Sequence, residues 1–253
     1  MQNSNDTATV CALAVIAMCA ATAAHEALGH GGACLLLGGH IELLSSSLFR
    51  CDLRSGWIDP AGPGMNLLAG LVALIARKGL PPGFAKTRLL LLLVTAFSFF
   101  WEGGYLMRAM ALRDGDLYFF AQFILSDVAF WMRAIGFAVG LAIYMLAIRT
   151  TSRALSEMFD TREGRRVARY AWIAATLAAG AAALAYRGEP LWPDLRDALL
   201  EIGLASVPLL LIPRANEYAP QARAIIGRSW PVIGTAMVVF VAFAMTMGRG
   251  VGA

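Results

Sequence analysis

The sequence predicts an all-α membrane protein with six to seven transmembrane helices and a small membrane-associated hairpin after the first helix. Two observations on composition predict this class: 58% of the 253 residues are hydrophobic and only 15% are charged, whereas soluble domains carry about 25% charged residues. The third observation is the recurrence of apolar stretches close to the roughly 20 residues that a helix needs to cross a bilayer. Such a chain is not expected to be a soluble enzyme, a disordered protein or a nucleic-acid-binding protein.

Seven stretches are apolar enough to be spans, with an error of one. The fourth is long enough to be broken or tilted, and the sixth is short. Alanine-rich residues 174–185 predict close packing between helices. The seven ranges are about 8–30, 60–76, 89–107, 117–148, 169–186, 199–213 and 230–248.

Loop charges predict the orientation of the spans. Residues 77–88, 149–169 and 214–228 are basic, and seven spans place all three loops on one side, which the positive-inside rule makes cytosolic. The first apolar run follows a segment without Lys or Arg, which makes it a poor signal peptide. We expect a multi-pass integral protein of a bacterial-type cell (inner) membrane, in contact with the lipid bilayer and with no nucleic-acid partner. The sequence leaves the oligomeric state open.

Residues 40–58 interrupt the helical pattern with β-formers and serines. Their boundaries, a Gly-Gly pair and a proline, predict a hairpin or a re-entrant segment between the first two spans. The four cysteines are Cys11, Cys19, Cys34 and Cys51, with no CxxC pair. We therefore expect inert membrane thiols rather than a disulfide framework.

The clearest functional signal is the segment HEALGH at residues 25–30, at the end of the first apolar run. Ionisable residues inside spans are costly and indicate function. Imidazoles are common zinc ligands, and a carboxylate beside them can take a proton from a zinc-bound water. The sequence therefore makes His25 and His30 candidate metal ligands and Glu26 a candidate catalytic base. The alternative is a pair of polar residues capping a helix at the membrane interface.

The histidine spacing departs from the familiar HExxH pattern, in which the ligands stand at i and i+4. In a regular α-helix, positions i and i+5 point about 140° apart. His25 and His30 can therefore bind one ion only if the helix widens locally, as in a π-bulge, or ends near Gly29. Gly29, Gly31 and Gly32 make such a distortion easy.

Three further polar positions lie in or near apolar spans. Asn66 follows the segment DPAGPGM, and a buried amide there needs a partner; it can bind a peptide backbone, polarise a carbonyl or join two helices. A carboxylate from the RDGD segment, Asp114 or Asp116, can complete a site of two histidines and one carboxylate. A polar turn at the membrane surface explains that segment equally well. Glu102 is another candidate for a buried charge, or for a position in the interface.

Together these motifs resemble the site-2-protease family of intramembrane zinc metalloproteases. HEALGH is similar to the family's HExxH helix with one residue inserted, residues 40–58 to the β-hairpin that follows it, and Gly62-Pro63-Gly64-Met65-Asn66 to its GPxxN element. The resemblance covers about residues 10–125. It lacks the usual proline-rich lead to the third-ligand motif, and residues 150–253 match no family pattern that we can name.

The resemblance implies a peptidase core over residues 1–125, with residues 126–253 adding transmembrane helices to the same integral membrane domain. His25 and His30 would bind Zn²⁺ and Glu26 would activate water. Asn66 would hold the substrate or stabilise the oxyanion. Asp116, which lies nearer the following apolar run than Asp114, would be the third ligand, although Asp114 fits the family's DG order.

The implied activity is hydrolysis of peptide bonds in membrane-anchored protein or peptide substrates, a form of intramembrane proteolysis. Two other functions stay open. The chain can be a peptidase-like scaffold without activity, which the altered histidine spacing favours. It can also be a metal or ion transporter, although transporters often repeat broken helices in both halves and here the polar residues concentrate in the N-terminal half.

Overall fold

A computed structural model describes residues 5–188, 191–211 and 224–252, and these residues are mostly helical. The first half contains α1 (Thr7–Ala23), a π-helical segment (Ala24–Gly31), α2 (Gly32–Leu36), β1 (Ile41–Leu44), β2 (Phe49–Cys51), α3 (Ala61–Gly79) and α4 (Ala85–Leu112). The second half contains α5 (Asp116–Leu125), α6 (Phe130–Met158), α7 (Thr161–Ala183), α8 (Leu191–Ala198), a π-helical segment (Leu199–Leu204), α9 (Pro208–Leu211), α10 (Trp230–Phe243) and a last π-helical segment (Ala244–Gly248).

The N-terminal helix is the centre of the fold. α1, its π-helical continuation and α2 form one continuous helix over Thr7–Leu36. It begins at Asp6, whose carboxylate accepts a hydrogen bond from the backbone N–H of Thr9 at 2.8 Å, a standard N-cap. α4, α7 and α10 pack around it. The predicted close packing of the alanine-rich segment is confirmed, because Ala175, Ala179 and Ala182 are buried in this core.

Among the described residues, four helices are long and apolar enough to cross a membrane: Thr7–Leu36, Ala85–Leu112, Phe130–Met158 and Trp230–Gly248. This is fewer than the six to seven predicted. α3 and α7 have sufficient length, but α3 ends with Arg77 and Lys78 and α7 begins in a segment rich in charged residues. The predicted fourth span is broken, because α5 ends before α6 begins. Residues 212–213 of the predicted sixth span and 214–223 of a basic loop lie outside the described residues.

The hairpin is present as two antiparallel strands, β1 and β2. Its tip is fixed to the second half of the chain, since the Ser45 hydroxyl donates to the Asp194 carboxylate at 2.7 Å. Backbone hydrogen bonds of 2.9 Å in both directions join Leu44 to Val251. The hairpin is therefore anchored to residues that lie 149 and 207 positions further along the chain.

The expectation that all four cysteines are free thiols is wrong, because Cys34 and Cys51 form a disulfide. The two residues lie 17 positions apart, and the return of β2 towards α2 brings their Cα atoms to 6.0 Å. That approach depends on the hairpin fold, which cysteine spacing does not reveal. Disulfides persist outside the reducing cytosol, and the seven-span interpretation of the loop charges predicts a non-cytosolic position for this end of the helix.

A tight turn joins α4 to α5 and determines where Asp116 lies. Arg113 ends α4 with φ of 62°, and Gly115 follows with φ of 94°. A side chain at Gly115 would be strained by this backbone, and its Cβ would lie 2.7 Å from the Tyr105 hydroxyl. That hydroxyl instead accepts a hydrogen bond from the Asp116 backbone N–H at 3.0 Å. The turn thereby directs the first residue of α5 back towards the N-terminal helix.

The disulfide gives a direct prediction about thiol content. Protein unfolded in denaturant without a reductant is expected to react with a maleimide at two thiols, those of Cys11 and Cys19. After reduction it is expected to react at four. Mass spectrometry of the labelled chain measures both numbers, and the Cys51→Ser variant should expose Cys34 as a third reactive thiol without reduction. Four labels on the unreduced wild-type chain would contradict the pairing.

Candidate metal centre

The π-helical segment brings His25 and His30 together despite their five-residue spacing. Its last turn is closed by a hydrogen bond from the backbone N–H of Gly32 to the carbonyl of Ala27, five residues earlier. A π-turn contains one residue more than an α-turn, so positions i and i+5 come to the same face. The Nε2 atoms of His25 and His30 lie 3.2 Å apart, and both rings are buried.

Asp116 completes a group of three side chains that could hold a metal ion. Its Oδ2 lies 3.2 Å from Nε2 of His30 and 3.6 Å from Nε2 of His25. Asp114, the alternative in the sequence, is exposed in the turn before α5 and does not belong to this group. The three atoms converge from two parts of the chain that are separated by about 90 residues.

The hydrogen bonds of the two imidazoles indicate which nitrogen carries the proton. Nδ1 of His30 lies 2.9 Å from the carbonyl oxygen of Ile58, which can only accept, so Nδ1 donates. Nδ1 of His25 lies 2.8 Å from the carboxylate of Glu102. With neutral rings, both Nε2 atoms therefore direct lone pairs towards each other and towards Asp116. Such an arrangement is repulsive unless a cation or a proton lies between the three atoms.

Glu102 and Asn66 form a second layer behind His25. One oxygen of Glu102 accepts from His25 Nδ1 and also from the Asn66 side-chain N–H at 2.7 Å. Both residues are essentially fully buried. The His25 ring also stacks on Trp101, with centroids 4.5 Å apart. These contacts fix both the position and the tautomer of His25, as carboxylates commonly do for metal-binding histidines.

Glu26 and the three possible ligands line one polar cavity of about 520 Å³, counting its open mouth. Glu26 is buried, and its Oε2 has no hydrogen-bond partner among the described residues. A buried, unpaired carboxylate oxygen is costly, and the Glu26 residue that carries it lines a space large enough for water. Asp59 lines the same cavity, and burial raises the pKa of its carboxyl to about 6, with the nearby Asp116 carboxylate acting in the same direction.

Two glycines allow the N-terminal helix and α3 to approach each other at this site. A Cβ on Gly29 would lie 2.5 Å from the Cα of Gly62. A Cβ on Gly62 would overlap the imidazole of His30, with Nε2 as its nearest atom. Gly62, the first residue of the GPxxN-like element, therefore leaves room for the imidazole of His30, a candidate ligand. Asn66 lies one turn further along the same helix.

The second half of the chain contributes residues that we did not predict for the site. Asp197 and Glu201 line the polar cavity, together with Tyr105 and Arg108 of α4. Glu201 offered a signal in the sequence, since it is an ionisable residue at the start of an apolar stretch. Asp197 and Arg108 offered none, because isolated charges beside apolar stretches are common at membrane surfaces.

The close approach of Gly62 to His30 gives a sharp prediction. Gly62→Ala is expected to displace the His30 imidazole and to lower the affinity for a divalent metal by about 10-fold or more. Gly64→Ala is the matched control, because a Cβ on Gly64 would meet no atom within 4 Å and it changes the same turn of α3. Metal content of the monodisperse detergent-purified proteins, measured by mass spectrometry, checks both. Wild-type metal content in Gly62→Ala would contradict the expected displacement of the His30 imidazole.

The structure thus brings together His25, Glu26, His30 and Asp116, and places Asn66 behind them, against Glu102. Neither a protein-family model, nor a curated protein, nor a solved structure matches this chain.

Proposed function

We propose that this chain is a membrane-embedded zinc metallopeptidase, similar to the site-2 proteases, that hydrolyses peptide bonds of membrane-anchored substrates. One observation carries the proposal. Two imidazole nitrogens and one carboxylate oxygen converge within 3.6 Å of one another, in a polar cavity that is also lined by Glu26, a buried residue whose Oε2 has no hydrogen-bond partner among the described residues.

The donor set suits zinc. Ligand atoms held at 2.0–2.2 Å from a tetrahedral zinc are about 3.3–3.6 Å apart, and the three separations here are 3.2, 3.2 and 3.6 Å. Two histidines and one carboxylate are a common ligand set of catalytic zinc, which keeps a fourth position for water or substrate. His25, His30 and Asp116 would hold the ion. Because the Nδ1 atom of each histidine is already hydrogen-bonded, each histidine would bind the ion through Nε2.

Bound zinc supplies a Lewis acid and lowers the pKa of water to about 7. Glu26 accepts a proton from the water that attacks the peptide carbonyl carbon. After the carbon–nitrogen bond breaks, Glu26 donates this proton to the leaving amine, and the water oxygen stays on the new carboxyl group. Because Glu26 is buried and lacks a partner among the described residues, no competing hydrogen bond has to break before it takes the proton.

The contacts of Asn66 favour a positioning role. Its side-chain N–H is occupied by Glu102, and the residue is fully buried. Asn66 is also absent from the residues that line the polar cavity. We therefore assign Asn66 to holding Glu102, which in turn holds His25, rather than to contact with the substrate or its oxyanion.

The location of the cavity supports the proposal of a membrane-anchored substrate. His25, Glu26 and His30 belong to Thr7–Leu36, and Tyr105 and Arg108 to Ala85–Leu112, which are two of the candidate spans. A peptide must therefore reach the site between apolar helices. Its backbone must also be extended, because a helical segment shields its own carbonyls by internal hydrogen bonds.

Replacement of the proposed base separates catalysis from metal binding. Glu26→Gln is expected to retain about one zinc per chain and to lose about 10²- to 10⁴-fold in hydrolysis, because the amide cannot accept the proton. His25→Ala, His30→Ala and Asp116→Ala are expected to lose the zinc as well. Zinc content and cleavage of a fluorogenic single-span peptide in liposomes measure the two properties.

The same experiment discriminates among the three functions. A scaffold without activity would show no zinc-dependent cleavage in the wild-type protein after zinc is resupplied. A transporter would instead move zinc into sealed vesicles. Asp114→Ala is the control for the third ligand, because its exposed carboxylate lies outside the metal group, and it should keep both zinc and activity.

The second layer around His25 gives another prediction. Glu102→Leu is expected to lower zinc affinity by about 10- to 100-fold, because His25 loses the acceptor that orients its ring. Glu102→Gln should recover part of this loss, since its amide oxygen can still accept from Nδ1. Ser98→Ala removes another buried polar group of α4, one without a partner among the described residues, and should leave zinc affinity unchanged. Competition titration with a zinc chelator measures the zinc affinity of all three variants. Wild-type affinity in Glu102→Leu would refute the positioning role of Glu102.

A further inference from the structure

A second cavity, which we call the apolar pocket, lies beside the polar cavity and encloses about 620 Å³, counting its open mouth. α4 forms one wall and α6 contributes Tyr144. The π-helical segment that follows α8 forms the facing wall. The residues that line the apolar pocket are Trp101, Gly104, Tyr105, Met107, Arg108, Tyr144, Leu200, Glu201, Leu204 and Ala205.

The two cavities adjoin, because Tyr105, Arg108 and Glu201 line both. The polar cavity contains the candidate ligands and the proposed base, whereas apolar side chains make up most of the lining of the apolar pocket. Arg108 stands at the junction, but its charge already faces Asp197 at 3.6 Å and its guanidinium lies over the Tyr105 ring at 5.1 Å. The junction therefore does not require an anionic ligand to satisfy Arg108.

The walls of the apolar pocket are fixed by packing. The Tyr144 hydroxyl donates to the Ala205 carbonyl at 2.8 Å, and the Tyr144 ring also packs on Phe100. Gly104 keeps the space open: a Cβ there would lie 3.6 Å from the Cβ of Ala205 and 3.7 Å from the Tyr144 ring. A methyl group fits at these distances, but a larger side chain at Gly104 would enter the space between the walls.

We propose that the apolar pocket binds one large apolar side chain of the substrate, of the Leu, Met or Phe class, adjacent to the bond that is hydrolysed. This inference rests on the proposed function, because it requires a peptide in the polar cavity. A peptide whose carbonyl faces Glu26 and the metal ligands has neighbouring side chains within one residue of that carbonyl. Because the two cavities share Tyr105, Arg108 and Glu201, the apolar pocket lies next to such a side chain, and burial of its surface there would favour binding.

The test uses a library of synthetic single-span peptides in liposomes of phosphatidylethanolamine and phosphatidylglycerol, with randomised residues in a Gly/Ser-rich segment and cleavage sites read by mass spectrometry. We expect the wild-type protein to prefer Leu, Met or Phe over Ala by at least ~10-fold at one fixed position beside the cleaved bond. Gly104→Leu and Ala205→Leu, which fill the pocket from opposite walls, should abolish this preference while peptides with Ala are still cleaved. Gly104→Ala should shift it partially.

Gly234→Leu on α10 is the matched control, because a Cβ there would meet no atom within 4 Å, and it should keep the wild-type preference. Zinc content and monodispersity equal to the wild type show that the pocket variants fold. Cleavage without a preferred position, or a preference that survives in both pocket variants, overturns this inference and leaves the peptidase intact. No cleavage of any library member by the zinc-loaded wild-type protein overturns the proposed function, and this inference with it.

Discussion

The candidate site depends on the π-helical widening of the N-terminal helix. An apolar helix must satisfy its backbone hydrogen bonds internally, so a helix that carries a polar site cannot simply unwind. The widening adds one residue to the turn while the backbone stays bonded, and His25 and His30 come to one face. The glycines at positions 29 and 62 then let α3 approach the widened turn closely.

Each side chain of the proposed centre is held from a different direction. Glu102 of α4 fixes His25, and the Ile58 carbonyl fixes His30. The turn after α4 positions Asp116, whose backbone N–H donates to the Tyr105 hydroxyl. By contrast, the buried Oε2 of Glu26 lacks a hydrogen-bond partner among the described residues, which suits the proton transfer that we propose for this carboxylate. This contrast between the fixed candidate ligands and an unpaired carboxylate oxygen supports the proposed catalytic role over a purely structural one.

The second half of the chain encloses the site. The hairpin is tied to the N-terminal helix by the Cys34–Cys51 disulfide, and its tip is bonded to Asp194 of α8. The π-helical segment after α8 supplies Glu201 to both cavities. A peptide that reaches the polar cavity would therefore contact both halves of the chain, and this shared enclosure supports the proposed preference among substrate side chains.

The sequence by itself predicted a helical chain with apolar helices long enough to cross a membrane, the hairpin after the first helix, and His25 and His30 as two of the candidate ligands. These follow from local properties: apolar length, the break in helical pattern at residues 40–58, and two histidines and a glutamate inside an apolar run. The five-residue spacing also indicated that His25 and His30 could bind one ion only if the helix were locally wider or ended near Gly29. It overestimated the number of helices apolar enough to span, because charged residues in the first or last turns of α3 and α7 lower their apolarity.

Only the tertiary structure decided the rest. The choice of Asp116 over Asp114 depends on the turn that returns α5 to the N-terminal helix. The positions of Glu102 and Asn66 behind His25, and the pairing of Cys34 with Cys51, depend on contacts between separate helices and strands. The physical reason is common to all of them: local periodicity determines which residues a segment presents on one face, whereas the packing of segments determines which faces meet.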